Sequence, residues 1–339
     1  MLQNRNVTIG IIAYNEQRYL PDLLEDIVQQ TYTKKNTEIV LVDGGSTDCT
    51  VSLMQQFKEK YDALYKRVLI CQNPRRIQPA GWNVVIQNMS TDSDVLLRID
   101  AHARLPEDFV QKNINCLESG ECVCGGPREN IIDENTAWKR MLLSAERSMF
   151  GSGFAKYRRK NVEKEYVNSV FHGAYRKEVL DKVGLFNEQL VRTEDNEYHY
   201  RVRSAGYKIC YDSGIESFYQ TRSSLKGMLK QKYLNGFWIG KTLKICPGCI
   251  SLFHLVPLAF VVAVIVAVVM GVFFSWLPLL AIGVAYGGFL IASTGVSIFE
   301  SHNVLDLFLP FVILAIHFAY GTGTLLGILS PCERESQSL

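Results

Sequence analysis

The chain is 339 residues long and carries 36 lysines and arginines against 34 aspartates and glutamates, a formal net charge of +2. A charge this close to zero argues against a nucleic-acid-binding protein, which usually has a strong basic excess. At roughly 100 to 200 residues per domain, the length allows one sizeable α/β domain and something smaller. Nearly all charges fall before residue 245, and residues 252–329 are almost continuously apolar. We therefore expect a water-soluble part followed by a membrane part.

The nine cysteines are scattered, and no combination of two metal-type pairs, as in zinc sites, occurs among them. Reduced thiols in a domain that faces the cytosol are the simplest interpretation. Cys246 and Cys249 stand as Cys-Pro-Gly-Cys, but without the βαβ context of a redox motif. No charged stretch followed by an apolar one opens the chain, so no cleavable signal peptide is predicted. We expect the large N-terminal domain to stay in the cytosol.

Strand and helix patterns alternate through the first hundred residues. Short β-rich apolar runs predict four strands, and apolar residues at helical spacing predict the helices between them. The strands are predicted at residues 7–13, 38–42, 68–71 and 95–99, and the helices at residues 20–27, 50–61 and 80–88. Such alternation is typical of a parallel, doubly wound sheet that binds ligands at the carboxyl ends of its strands.

A polar cluster follows each of these four strands. The clusters lie at residues 14–16, 43–48, 73–76 and 100–102. Because the carboxyl ends of parallel strands meet at one edge of a sheet, we expect a single crevice to collect all four.

The pattern is less regular after residue 102. Helices are predicted at residues 107–117, 179–183 and 195–204, with a strand or turn at residues 122–127, whereas residues 130–165 show little period and their structure stays open. Residues 223–243 interleave apolar residues with lysines, which favours an amphipathic helix lying at a membrane surface.

Three apolar stretches, at residues 252–274, 277–299 and 307–329, each approach the roughly 20 residues that a bilayer span needs. Ser275 and Trp276 form a very short join, so the first two spans are predicted to be a tight hairpin. Lysines ahead of the first span place that end in the cytosol. The other polar loop, with Glu300, His302 and Asp306, contains no lysine or arginine, so the topology after the first span stays open.

Several residues at the predicted crevice could carry chemistry. Asp100 and His102 could hold a divalent ion that bridges two phosphates, since such an ion needs only one or two protein ligands; either residue could instead cap a turn. Asp43 could accept a hydrogen bond from a base or ribose, or it could start a turn. Tyr14 could stack on a base or pack in the core. Arg75 and its neighbour Arg76 could neutralise a diphosphate or simply face water.

An acidic run, Thr-Glu-Asp-Asn-Glu, occupies residues 193–197. A carboxylate here could act as the general base that removes a proton from an acceptor hydroxyl. Acidic residues at the start of a helix also match the helix dipole, and this alternative is the commoner one.

The order of these motifs resembles that of the family 2 glycosyltransferases of GT-A fold. The likeness covers about residues 6–220 and rests on four motifs: Tyr-Asn-Glu at 14–16, Asp-Gly-Gly-Ser-Thr-Asp at 43–48, Asp-Ala-His at 100–102, and Glu-Asp at 194–195 followed by Tyr-His-Tyr-Arg-Val-Arg. The resemblance implies a GT-A domain at residues 1–222, an amphipathic interfacial segment at 223–250, a membrane domain at 251–330 and a short tail at 331–339.

The resemblance also implies roles for individual residues. Asp195 would be the base of an inverting, single-displacement transfer, with Glu194 beside it. Asp100 and His102 would hold a divalent metal, Mn or Mg. The residues that would bind the nucleotide-sugar are Ala13, Tyr14, Glu16, Asp43, Arg75, Asp100, Gly173 and Arg222.

The sequence departs from the family pattern at two places. Ile12 stands where a proline is usual, and His102 replaces the second metal carboxylate, which leaves the metal and its second ligand open. The processive signature Gln-x-x-Arg-Trp is missing, so the addition of one sugar per encounter is favoured.

The Asp-Ala-His motif, the basic amphipathic segment and the C-terminal spans most resemble succinoglycan-type enzymes of exopolysaccharide assembly. That resemblance implies a multi-pass protein of the cell membrane with a cytoplasmic catalytic domain. It also implies a nucleotide-sugar donor, a UDP-sugar for preference, and an undecaprenyl-diphosphate-linked acceptor. Two alternatives stay open: a polyprenyl-phosphate sugar synthase, and an inactive membrane partner that only binds sugar nucleotides.

Overall fold

The computed structural model describes residues 5–148 and 164–331. Within them the chain forms two compact units, the first from residues 5–129 and 164–220 and the second from residues 130–148 and 221–331. The sequence placed the end of the first domain at residue 222, and it did not separate residues 130–148 from that domain. Most of the tail expected at 331–339, and part of the stretch left open at 130–165, lie outside the described residues.

The first unit is an α/β sandwich around a mixed sheet. Its strands are β1 (Val7–Ala13), β2 (Thr37–Asp43), β3 (Arg67–Gln72), β4 (Val95–Asp100), β5 (Ala103–Arg104), β6 (Val123–Gly125), β7 (Arg128–Ile131), β8 (Lys164–Val167), β9 (Ala174–Arg176), β10 (Ile209–Asp212) and β11 (Ser217–Gln220). Its helices are α1 (Leu20–Gln29), α2 (Thr50–Tyr61), α3 (Gln78–Asn88), α4 (Phe109–Glu118), α6 (Lys177–Val183) and α7 (Glu194–Ser204).

Eight of these strands form the main sheet, in the order β3-β2-β1-β4-β9-β6-β10-β8. The first four run parallel to one another, with Ile9 beside Ile39 on one side and Leu97 on the other. The predicted parallel, doubly wound half is therefore confirmed. Strand β9 runs antiparallel to both of its neighbours. A second, three-stranded sheet has the order β5-β11-β7.

The core of this unit lies on both faces of the main sheet. Strands β1, β2 and β4 are almost completely buried, and most of their residues are apolar, as expected for central parallel strands covered by helices on both sides. Gly10 in β1 permits close packing of α3, because a Cβ there would lie 2.6 Å from a methyl of Val85.

The second unit is helical and comprises α5 (Ala137–Arg147), α8 (Leu225–Ile245), α9 (Val256–Phe273), α10 (Leu277–Ser301) and α11 (Leu309–Leu329). Three segments of the described chain are long and apolar enough to cross a bilayer: Leu252–Phe273, Leu277–Ser301 and Val304–Leu329, with mean hydropathies of 3.0, 1.8 and 1.9. The three predicted spans are thus present as helices of sufficient length and hydropathy.

Helices α8 and α11 cross with their backbones in contact. Gly236 of α8 lies against the backbone carbonyl of Tyr320, and Gly327 of α11 lies against that of Phe237, so a side chain at either glycine would collide with backbone. Small residues allow such close approach between membrane helices. Lys232 of α8 is buried, and its Nζ lies 2.8 Å from a carboxylate oxygen of Glu146 in α5.

Candidate active site

Four of the predicted polar residues meet at one edge of the main sheet. Strand register sets Ala13 beside Asp43 and Ile12 beside Asp100. Tyr14 and Glu16 follow directly on β1. The parallel strands therefore bring the ends of β1, β2 and β4 to a common edge, as the sequence predicted.

Asp43 organises the turn after β2. Its buried carboxylate accepts hydrogen bonds from the backbone N–H groups of Gly45, at 2.9 Å, and Ser46, at 3.1 Å. Gly45 has φ +82°, a left-handed conformation that glycine adopts without strain. Of the two roles expected for Asp43, the start of a turn is the one that these hydrogen bonds support directly.

The loops after β1 and β2 are joined to each other. Asn15 donates its backbone N–H to Ser46 Oγ at 2.9 Å, and its side-chain oxygen accepts from the backbone N–H of Thr47 at 2.8 Å. Tyr14 is 56% exposed and lies against Gly44, with its Cδ2 atom 3.6 Å from the position of a Cβ there. This exposure excludes the core-packing alternative and leaves the ring face accessible for stacking.

The two arginines after β3 have separate partners. Arg75 forms an ion pair with Glu188, whose other carboxylate oxygen accepts from Asn83 at 2.8 Å. The guanidinium of Arg76 covers the Gly45 turn instead, with its Nε 2.8 Å from the position of a Cβ on that glycine. Arg76, which the sequence offered beside Arg75 as a partner for a diphosphate, therefore lies next to the Asp43 turn, whereas Arg75 pairs with Glu188.

His102 is held by a carboxylate. Its Nδ1 lies 3.0 Å from Glu16 Oε1, and its buried Nε2 has no hydrogen-bond partner among the described residues. Burial alone would lower the pKa of His102, but Tyr219, Glu16 and Asp100 outweigh it and raise this pKa to about 10. The same neighbours would stabilise another cation at this place.

These contacts fit a divalent ion bound by Asp100 and His102. A metal-binding histidine usually donates one ring N–H to a carboxylate and binds the ion through the other nitrogen, which is the arrangement that Glu16 and the unpartnered Nε2 offer. No cluster of three or more histidine, cysteine or acidic side chains suited to a metal occurs in the described part of the chain. Phosphate oxygens and water would have to complete the coordination.

The segment before β9 lies behind the Asp-Ala-His turn. His172 is buried and its Nδ1 lies 2.9 Å from Ser217 Oγ, which also lies within hydrogen-bonding distance of the Pro127 carbonyl. Burial lowers the pKa of His172 to about 3, so the ring is neutral at physiological pH. Gly173 is required at its position, because a Cβ there would lie 2.7 Å from the hydroxyl of Tyr175.

Aromatic rings surround a buried arginine beside His102. The Arg128 guanidinium lies over the rings of Phe171 and Tyr219, 4.1 and 4.2 Å from their centroids, and the two rings are perpendicular to each other. The Tyr219 ring also meets His102 edge-on, with 4.7 Å between centroids. Arg128 was missed in the sequence, because its partners come from segments more than forty residues away.

The acidic run begins α7. Thr193, just before it, has φ +67°, a strained conformation for a β-branched residue. Glu194 is only 3% exposed, and its Oε1 lies 3.7 Å from Arg98 Nη2. Burial and the neighbouring Asp195 charge raise the pKa of Glu194 to about 8, against the opposing effect of Arg98. Asp195 is partly exposed, so the two neighbouring carboxylates have different access to a substrate.

Arg98 interacts with both the acidic run and the end of β4. It lies two residues before Asp100 in that strand, and its guanidinium interacts electrostatically with Asp100, Glu194 and Asp195. The three carboxylates therefore converge on the same part of the first unit. Arg222 belongs to the second unit, and its expected contact with the diphosphate stays a prediction.

Comparisons with known proteins agree with this geometry. Residues 8–184 match the sequence model of a family described as glycosyl transferase family 2. The chain is 27% identical over 271 residues to the dolichyl N-acetyl-alpha-D-glucosaminyl phosphate 3-beta-D-2,3-diacetamido-2,3-dideoxy-beta-D-glucuronosyltransferase of Methanococcus voltae, a match that covers 78% of this chain and 82% of that protein. It is also 27% identical over 292 residues to the succinoglycan biosynthesis protein ExoA of Rhizobium meliloti, covering 84% and 83% of the two chains.

A solved structure shares the fold. The mannosyltransferase PcManGT from Pyrobaculum calidifontis, in complex with GDP-Man and Mn2+, aligns with a TM-score of 0.59 at 15% identity, over 96% of this chain and 87% of that one. At this level of identity the likeness concerns the fold alone.

Proposed function

Because the chain belongs to glycosyltransferase family 2 and is a glycosyltransferase of GT-A-like fold, we propose that it transfers one sugar from a nucleotide-sugar, preferably a UDP-sugar, to a lipid-linked saccharide at the cytosolic membrane face. The observation that carries this proposal is the convergence of Asp100, His102 and Asp195 in a domain whose chain continues into three membrane-length helices. The transfer would proceed with inversion.

Donor binding uses the edge formed by the ends of β1, β2 and β4. Tyr14 stacks on the base, and the Asp43 turn, with Ala13 and Glu16 beside it, holds the nucleoside. Arg75 and its neighbour Arg76 are proposed to neutralise the diphosphate. The segment that contains Gly173 is proposed to line the donor sugar. Arg222 is proposed to meet the diphosphate as well.

Asp100 and His102 would hold the divalent ion, Mn or Mg. When bound, such an ion would stabilise the negative charge that develops on the leaving nucleoside diphosphate. Glu16 supports this role, because it orients the His102 ring and adds negative charge beside it.

Asp195 is the proposed general base. The acceptor hydroxyl oxygen forms a bond to the anomeric carbon of the donor sugar while the bond from that carbon to the diphosphate oxygen breaks. The hydroxyl proton goes to the Asp195 carboxylate, and the nucleoside diphosphate leaves with the bonding electron pair. One displacement of this kind inverts the anomeric configuration. Glu194 is too deeply buried to meet the acceptor, so we assign it a supporting role in place of the catalytic one expected from the sequence.

The relatives support a lipid-linked acceptor. The name of the Methanococcus voltae protein describes transfer to a dolichyl phosphate-linked sugar. A saccharide on a lipid carrier is presented at headgroup level, and a membrane-anchored enzyme would meet it there. An undecaprenyl-diphosphate carrier is our proposal for this chain.

The contacts of α5 support a topology within the membrane unit. Asn303, in the loop between α10 and α11, donates its side-chain N–H to the Ala137 carbonyl at the start of α5. Residues 130–136, which lead into α5, reach at most about 25 Å when fully extended, less than the roughly 30 Å hydrocarbon core of a bilayer. The α10–α11 loop then lies on the same side of the bilayer as residue 130, where this part of the second unit begins. The lysines of α8 favour the cytosol for that side.

The experiment that tests the function follows donor label in membranes that contain the full chain. UDP- and GDP-sugars are offered with Mn2+ or Mg2+ and a bacterial lipid extract, and label is counted in the organic phase. Metal-dependent label that mild acid releases as an oligosaccharide supports the proposal. Release of a monosaccharide alone points to a polyprenyl-phosphate sugar synthase, and donor binding without any transfer points to an inactive partner.

A further inference from the structure

Arg98 is a buried cation in the core of the first unit that none of the roles above uses. It is 4% exposed, and its guanidinium lies over the rings of Trp82 and Phe186, 4.5 and 4.7 Å from their centroids. Its Nε and Nη1 atoms make no hydrogen bond with the described residues. A buried charge that is incompletely hydrogen-bonded is costly, so the fold must gain something else from this residue.

The surroundings of Arg98 connect it to both parts of the candidate site. Its backbone N–H donates to the Gly173 carbonyl at 3.0 Å, which fixes the end of β4 against the segment before β9. Because side chains two residues apart in a strand share a face, Arg98 and Asp100 lie on the same face of the sheet. The Arg98 Nη2 atom faces Glu194, at 3.7 Å, in the first turn of α7.

The chain that enters α7 is held against α3 over several residues. Asn83 of α3 exchanges two hydrogen bonds with the backbone of Phe186, at 3.0 and 2.7 Å, and its amide also bonds Glu188. Phe186 in turn covers the Arg98 guanidinium. The strained Thr193 closes this segment, directly before the two acidic residues. A strained residue persists only where its surroundings determine its conformation, and the contacts of Asn83 with Phe186 and Glu188 hold the chain that leads to Thr193.

From these contacts we propose that Arg98 is a positioning residue, which fixes the first turn of α7 through Glu194 and so places the Asp195 carboxylate for proton transfer. The inference rests on the proposed function, because it needs Asp195 to be the base. Arg98 does not touch the substrate. Its positive charge also opposes the rise in the pKa of Glu194 that burial and the Asp195 charge cause.

The test compares four variants of the full-length chain in detergent with the wild type, in the lipid-extract assay. The variants are Arg98→Met, Arg98→Lys, Glu194→Ala and the double variant Arg98→Met/Glu194→Ala. If Arg98 positions the base, Arg98→Met lowers kcat by about 100-fold, equivalent to about 2.7 kcal/mol of transition-state stabilisation. The KM for the nucleotide-sugar stays within about threefold of the wild type, because the donor site is left intact. Arg98→Lys restores about a tenth of the wild-type kcat or more, since it keeps the charge.

The double variant shows whether Arg98 acts through Glu194. The effects of two residues that act as a unit are not additive. The kcat of the double variant should therefore be no more than about threefold lower than that of the less active single variant. Independent effects of about 100-fold each would instead multiply to about 10,000-fold. The matched control is Arg201→Met, which removes an ion pair with Glu197 on the same helix, at 2.7 Å, and should lower the Tm while kcat is retained.

Three results would overturn the inference: an unchanged kcat in Arg98→Met, an increase in donor KM as large as the loss of kcat, or multiplicative effects in the double variant. Thermal unfolding of each variant identifies one that fails to fold, and Arg98→Lys and Glu194→Ala then carry the test. Asp195→Asn separates this inference from the proposed function. If that variant still transfers sugar at the wild-type rate, the base assignment itself fails, whatever Arg98 does.

Discussion

Tyr14 offers the sharpest test of the donor site, because its ring is exposed at the edge where the donor is proposed to bind. We predict that Tyr14→Ala raises the KM for the nucleotide-sugar, while Tyr14→Phe, which keeps the ring face, leaves it unchanged. Stacking of a base on an aromatic ring contributes about 1–3 kcal/mol. Loss of about 2 kcal/mol of binding free energy, the middle of this range, corresponds to an increase in KM of about 30-fold.

Because Tyr14 is exposed, we expect Tyr14→Ala to have little effect on stability. The ring is 56% exposed and lies beside the Gly44 turn, so its removal opens no cavity in the core. The Tm of Tyr14→Ala should therefore stay within a few degrees of the wild type. A suitable control is Tyr200→Ala on α7, which removes another exposed tyrosine and should leave the donor KM unchanged.

The assay measures initial rates against donor concentration in the lipid-extract system, and nucleotide binding is measured separately by thermal shift with UDP and GDP. An unchanged donor KM in Tyr14→Ala, with normal nucleotide binding, would refute the stacking role. A large drop in Tm would show instead that Tyr14 supports the loop.

Four further outcomes are expected. Asp100→Ala should abolish the part of the nucleotide-induced increase in Tm that needs Mn2+ and leave the part that survives in chelator; equal loss in both conditions would exclude Asp100 as a metal ligand. Glu16→Gln should raise the Mn2+ concentration needed for half-maximal activity by about 10-fold or more, as loss of a carboxylate behind a metal-binding histidine does, and an unchanged requirement would count against the His102 site. Because the pKa of Glu194 is raised from 4.5 to about 8, ionisation of this side chain destabilises the fold as the pH rises through that range. Glu194→Gln should therefore show a smaller fall in Tm over that range than the wild type; parallel Tm curves would contradict this sign. Gly236→Val should lower the Tm in detergent by several degrees because the new side chain meets the Tyr320 backbone, whereas Gly287→Val, which faces open space, should not; similar Tm values would refute the α8–α11 contact.

The sequence predicted the elements that local pattern determines. The bounds of β1 and α2 agree with the structure residue for residue, and the three spans agree to within a few residues. A continuous apolar strand, or an apolar stretch of bilayer length, can be recognised from the local sequence alone. The common edge of β1, β2 and β4 follows from the same reasoning, since parallel strands end together.

The elements that the sequence could not predict depend on distant partners. Helix α5 shows this most clearly, because its buried Met141, Leu142 and Ala145 belong to an apolar cluster with Leu309 and Ile313 of α11. Nothing in the local pattern of residues 130–148 indicates that a segment between two parts of the catalytic domain packs with membrane helices.

The candidate site shows the same limit. Glu194 and Asp195 are neighbours with the same acidic chemistry, and before the structure only the family resemblance favoured Asp195 as the base. Burial against Arg98, 96 residues earlier in the chain, distinguishes the two. Arg75 and Arg76 are likewise adjacent, and only the fold shows that Arg75 pairs with Glu188 while Arg76 covers the Gly45 turn.

The most direct test of the central claim is transfer of label from a nucleotide-sugar into lipid by the purified full-length chain and by Asp195→Asn. We predict metal-dependent label in the organic phase with the wild type, released by mild acid as an oligosaccharide. We also predict that Asp195→Asn binds the nucleotide normally but transfers at least about 100-fold more slowly. Equal transfer by the two proteins, or label that never enters the lipid fraction with any UDP- or GDP-sugar, would contradict the account.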